Sequence, residues 1–183
     1  MKIIVAVTGA SGAIYARQTL QQLISAPEVD EIALVVSEKG EQVVQYEGEV
    51  LPESEKIVRY DNNDMFCPIA SGSADYDAMI IVPASMGSVG RIASGVSLSL
   101  IERAADVMIK ERRRLIVVVR EAPYSLIHLR NMTTLTEAGA IVLPASPSFY
   151  SKPEGLEQVA MTVVERIIAH AGVALPHYSF SGK

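Results

Sequence analysis

The chain has 183 residues, 49% of them hydrophobic, with a formal net charge of −5 and a single cysteine, Cys67. That length supports one domain, 1–183, with a sizeable core, and the acidic balance argues against general nucleic-acid binding. One thiol excludes an internal disulfide and a cysteine-based metal cluster; His128, His170 and His177 share no ligand spacing, so no metal site is predicted.

The first stretch, "MKIIVAVTGA", is apolar over too few residues for a signal peptide or membrane span. It reads as a buried strand, with a cytoplasmic protein and no membrane partner as the expectation. "SGAIYARQTLQQLIS" has helical apolar spacing, "EIALVVS" is a second strand and "EKGEQVVQYEG" a second helix. Residues 50–75 read as polar and irregular. A third strand, "DAMIIVPAS", leads into a loop, "PASMGSVGRIASG". The helix "LSLIERAADVMIKER", the strand "RLIVVVRE", the helix "SLIHLRNMTTLTEAG", the strand "AIVLPASP" and a last helix, "GLEQVAMTVVERIIAHAG", complete the chain.

Alternating strands and helices predict an α/β fold: a single-domain, open parallel sheet flanked by helices, Rossmann-like and of the flavoprotein type. Right-handed crossovers then bring every strand's carboxyl end to one edge. Five such ends carry small, polar or charged residues: "TGASGA", "VVSEKG", "VPASMGS", "VREAP" and "LPASPSFY". Glycine and serine there let a ligand approach the backbone and expose N–H groups at helix starts. The mean hydropathy of +0.26 is high for a solvated monomer and predicts apolar surface shared between subunits.

Several ligand classes drop out. "TGASGA" lacks full GxGxxG spacing, and the second strand ends in Val36-Ser37 rather than an acidic residue for a ribose. No tyrosine has a lysine four residues on, as a short-chain dehydrogenase requires. Neither GxxxxGK[ST] nor G-x-S-x-G occurs. A mononucleotide such as FMN fits better, with one phosphate cradle and a polar wall supplied by Gly9, Ala10, Ser11, Ser37, Ser85 and Ser88.

Taken together, "TGASGA", "VVS", "PAS", "LIERAADVMIKERR", "VREAP", "HLRNM" and "GAIVLPASPSFY" resemble the UbiX-type flavin prenyltransferases, in order, from about Lys2 to Arg166. The resemblance implies transfer of the dimethylallyl group of dimethylallyl monophosphate to reduced FMN, without a metal. The prenylated FMN would serve a separate UbiD-type decarboxylase, and the enzyme would be a homo-oligomer, typically a dodecamer, with sites between subunits. It also implies Arg120 as an FMN contact, Glu121 as a proton-handling group beside the reacting flavin atoms, and Ser11 and Glu47 near them. Tyr150, Arg166 and Lys110 would bind the prenyl phosphate, with Arg103 beside them.

Residue chemistry is compatible with these roles, since arginine and lysine neutralise a departing phosphate by charge-assisted hydrogen bonds. Arg103 and Lys110, seven apart, share a helix face distinct from an apolar stripe of Leu98, Ile101, Ala104, Ala105 and Met108, and are expected free to face a site or a neighbouring subunit. Plainer readings stand beside each role. Ser11 would equally serve as a helix N-cap, Arg120 and Glu121 as an ion pair, and Arg103, Lys110 and Arg166 as solvated charges. Relatives often have "PCS" in the third-strand loop, where Ala84 replaces the cysteine. The competing function is an FMN-dependent cysteine decarboxylase of the same fold. That class uses a histidine in the first half of the chain and an asparagine in the third-strand loop, and this sequence has neither.

Overall fold

The computed structural model describes residues 1–174. Six parallel strands form one sheet: β1 (Lys2–Val7), β2 (Glu31–Val36), β3 (Ile57–Tyr60), β4 (Ala78–Ala84), β5 (Arg114–Val119) and β6 (Ile141–Pro144). Six helices connect and flank them: α1 (Ala13–Ser25), α2 (Glu38–Tyr46), α3 (Met86–Ala93), α4 (Leu100–Lys110), α5 (Leu126–Glu137) and α6 (Leu156–Ala171).

The near-continuous apolar runs of the central strands follow from burial on both faces. Side chains alternate between two cores. Ile3, Val5, Ile80, Val82, Ile116 and Val118 pack under α1 and α6. Ile4, Ala6, Met79, Ile81, Val117 and Val119 pack under α3, α4 and α5. Ile80 is fully buried, and its truncation to alanine would cost about 2–5 kcal/mol through lost transfer energy and a residual cavity.

The strand order is β3-β2-β1-β4-β5-β6. Chain direction across the sheet reverses between β1 and β4, where an open α/β sheet leaves a crevice at its carboxyl edge. Pairing of these strands runs from Ile3–Ala78 to Ala6–Ile81 and stops. Beyond it, the buried Thr8 hydroxyl donates to the Pro83 carbonyl and accepts from the Ser85 N–H, both at 2.8 Å, so one side chain spans the gap. Both outer strands, β3 and β6, are four residues long.

Three expectations change. Within residues 50–75, β3 pairs with β2 and two short 3-10 turns follow, at Pro68–Ala70 and Gly72–Ala74. Polar, exposed Arg59 obscures this edge strand's pattern. The loop expected after β4 is largely helix α3, whose buried Met86, Val89 and Ile92 recur at helical spacing between glycines. Leu98 does not belong to the α4 stripe: it precedes the helix and is 83% exposed, whereas Ile101, Ala104, Ala105 and Met108 are buried. No helix among the described residues is long and apolar enough to cross a membrane.

Candidate active site

The carboxyl edge holds two concavities. The first lies at the β1/β4 crevice, with a volume of about 360 Å³, and is lined by Gly9, Ser37, Lys39, Ser85, Ser88 and Arg91 together with Glu38, Asn62, Ser99, Ile101 and Glu102. Three of the serines begin helices. Ser37 caps α2 by accepting from the Gly40 N–H at 3.0 Å. Ser85 caps α3 and lies 3.1 Å from the Ser88 hydroxyl. Ser99 caps α4 in a capping box with Glu102. The positive ends of three helix dipoles therefore converge on one pocket. Gly9 admits the close approach: a Cβ there would sit 2.6 Å from the Lys39 Cβ.

Beside this pocket, the turn after β1 meets the end of β5. Glu47 accepts from the N–H groups of Gly12 (3.0 Å) and Ala13 (2.7 Å), so it, and not Ser11, caps α1. Partial loss of hydration by itself would raise its pKa. Hydrogen bonds from the Ser11 hydroxyl, Ala13 and Gly12, with the charge of Arg120, outweigh that and hold the carboxyl below its ordinary value. Arg120 donates through Nε to the Ser11 carbonyl at 3.1 Å. Glu121 accepts from the Ala122 N–H at 3.0 Å, and no salt bridge joins it to Arg120. The strand-end ion pair is thus absent, and the half-buried Glu121 carboxylate stays uncommitted to a cation among the described residues.

The second concavity, about 560 Å³, runs along the outer strand β6 and under α6. Tyr150, Arg166, Ser146, Ser148, Glu165 and His170 line it. Arg166 lies 3.4 Å from His170 one helical turn on, and Tyr150 is 73% exposed. Ala145 continues the β5 pairing through its N–H to Val119, which sets this groove one strand over from Arg120 and Glu121.

A flavoprotein family model matches residues 1–171. The flavin prenyltransferase UbiX of Methanocaldococcus jannaschii is 42% identical over 176 residues, 94% of each chain. The chain belongs to the UbiX family of flavin prenyltransferases. Solved structures agree. AnUbiX (PadA1), in complex with FMN and dimethylallyl pyrophosphate, matches at a TM-score of 0.88 and 38% identity, over 98% of this chain and 97% of that one. A dodecameric FMN-dependent UbiX-like decarboxylase from Escherichia coli O157:H7 matches at 0.92 and 36%, over the whole of both.

Two residues expected at the site of this UbiX-family chain lie elsewhere within it. Lys110 ends α4 and pairs with Glu111 near Gly72, at the amino edge of the sheet. The six-residue length of β5 separates that edge from Arg120, about 20 Å at 3.3 Å per residue. Arg103 does share the Lys110 face, but its Nε donates to the Ala70 carbonyl at 3.0 Å and its Nη1 pairs with Asp106 at 2.8 Å. Neither side chain is free in the way the spacing implied. Conversely, Lys39, Asn62, Arg91, Ser99 and Thr8 reach the crevice without having been singled out. The serine preceding an apolar helix start was a readable signal for Ser99. Arg91 carried none while its segment read as loop.

Proposed function

We propose that the protein transfers the dimethylallyl group of dimethylallyl monophosphate to reduced FMN, through residues of the crevice and the β6 groove. The carrying observation is their adjacency: a hydroxyl- and amide-lined pocket, an uncommitted carboxylate, and an arginine–tyrosine groove follow one another along the sheet edge. The donor set suits a flavin mononucleotide. Gly9, Ala10, Ser11, Ser37, Ser85, Ser88 and Arg120 would hold it through short side chains, N–H groups and one cation. When bound and reduced, FMN supplies the nucleophilic carbon and nitrogen of the reaction.

Arg166 and Tyr150 would hold the prenyl phosphate and stabilise the charge on it as it departs. Glu121 would take up a proton as the new ring closes. Glu47 fixes the Ser11 turn against α1, and Ser11 in turn receives Arg120, so these three set the floor of the site. Arg103 and Lys110 would act only on a neighbouring subunit's site, within a homo-dodecamer. Leu126, Ile127 and Phe149, 60%, 68% and 67% exposed, supply apolar surface for such contacts. The same proposal takes the chain, 1–183, as one cytoplasmic prenyltransferase domain whose product activates a UbiD-type decarboxylase.

Anaerobic incubation of the purified protein with reduced FMN and dimethylallyl phosphate, followed by mass spectrometry of the flavin, tests this reading. A flavin heavier by one five-carbon prenyl group is expected, with no CO2 released from aromatic acids by the protein alone. An unmodified flavin after complete reduction of the FMN refutes it.

A further inference from the structure

Arg91 belongs to the crevice by position, yet its pairing is unusual. Its Nε donates to Glu102, a residue only 3% exposed. The Glu102 carboxylate also receives the N–H groups of Leu98 (2.8 Å) and Ser99 (3.1 Å), so its acceptor capacity on this side is largely committed. A helical side chain leans toward its own N-terminus. The Arg91 guanidinium accordingly folds back over Gly87, where a Cβ would meet Nη1 at 3.3 Å, and toward Ser88, whose hydroxyl is 3.4 Å from Nη2. A cation is thereby held at the start of α3, where the helix dipole disfavours positive charge. Glu102 fixes the guanidinium's orientation from behind. Beyond that pair, its Nη groups make only the long Ser88 contact among the described residues, and they line the pocket. Lys39 adds a second cation there and Glu38 a second carboxylate. Spare guanidinium donors, helix-start N–H groups and serine hydroxyls on one wall suit a phosphate monoester, which takes bidentate hydrogen bonds and carries concentrated charge.

We infer that Arg91, positioned by Glu102, binds the terminal phosphate of the flavin and is the residue by which this protein selects FMN over riboflavin. The inference rests on the proposed flavin site and names a contact in it. The test is titration of oxidised FMN and of riboflavin, followed by flavin fluorescence, into the wild-type protein, Arg91→Gln and Arg91→Lys. Removing the cation by Arg91→Gln should weaken FMN by roughly ten- to a hundredfold, the worth of a charge-assisted hydrogen bond, and leave riboflavin unchanged. Arg91→Lys should keep part of the preference. Because Arg91→Gln leaves a buried carboxylate unpaired, the double variant Arg91→Gln, Glu102→Gln removes both charges together and should show the same selective loss. Equal losses for the two flavins, or no loss for either, overturn the inference. So does a variant that binds FMN normally but needs more dimethylallyl phosphate, since the guanidinium would then read the donor's phosphate. Failure of the wild-type protein to bind any flavin overturns the proposed function and this inference together.

Discussion

The β1/β4 crevice and the β6 groove lie on the same sheet edge but are built differently. The crevice sits mid-sheet, with strands on both sides, and its polar lining comes largely from helix starts: Ser37, Ser85 and Ser99, with Gly9 contributing only backbone. Its donors are fixed by the fold, and many share the same task. The groove lies at the last strand, where protein covers one side only. Its charged and aromatic members, Arg166 and Tyr150, are exposed side chains. The contrast teaches that, within one chain, the crevice is walled on both sides whereas the β6 groove lies open on its outer side. Loss of a single helix-start serine from the crevice should therefore cost little, with the Arg91 cation as the exception, whereas single changes beyond the crevice should be felt more.

The sharpest probe lies between the two regions. Glu121→Gln should leave FMN affinity unchanged and slow complete prenylation by roughly 10²- to 10⁴-fold, the usual worth of a positioned proton acceptor. Loss of FMN with normal turnover at saturating flavin would instead assign Glu121 to the crevice. Next in size, Arg166→Ala should weaken dimethylallyl phosphate by roughly ten- to a hundredfold, with Tyr150→Phe milder and FMN spared in both. Comparable weakening of FMN, measured by fluorescence quenching, would erase the distinction between the regions. Apart from Arg91, the crevice and the packing beneath it should respond to crowding more than to the loss of one hydroxyl donor. A Cβ at Gly40 would come 2.6 Å from the Val7 carbonyl, so Gly40→Ala should destabilise the protein by about 1–3 kcal/mol in urea unfolding. The smallest effect is expected at Glu47. Its folded pKa lies below the ordinary 4.5, so its contribution is present above that pH and fades as the pH falls through the lowered value. Glu47→Gln should flatten the acid limb of the stability curve, and an unchanged limb would show that the cap of α1 contributes nothing to it.

The parts of this molecule legible in sequence are those governed by local pattern. Buried runs such as "RLIVVV" announced the central strands, and the serines and glycines after them marked the ligand edge. β3 escaped because an outer strand needs no continuous apolar run, and Arg59 broke its alternation. α3 escaped because "MGSVGRIA" carries two glycines, which weaken helix propensity while Met86, Val89 and Ile92 supply the packing that overrides it. The resemblance named Tyr150, Arg166, Arg120 and Glu121; Arg120 and Glu121 follow β5 at the carboxyl edge, and Tyr150 and Arg166 line the groove beside β6. The separation of Lys110 from them was not readable: seven-residue spacing fixes a helix face but not which end of the sheet the helix end meets. Nor was the Arg91–Glu102 pair, which joins two helices that were not yet both in view.

The two outer strands have one more consequence. A bare sheet edge is a template on which another chain can add a strand, and long flat edges drive open-ended aggregation. Here each edge offers four residues, and β6 closes on Pro144, which has no N–H to give. Copies of this protein cannot easily zip together sheet to sheet into fibres. Contacts between copies are thereby left to helices and loops rather than to strand addition.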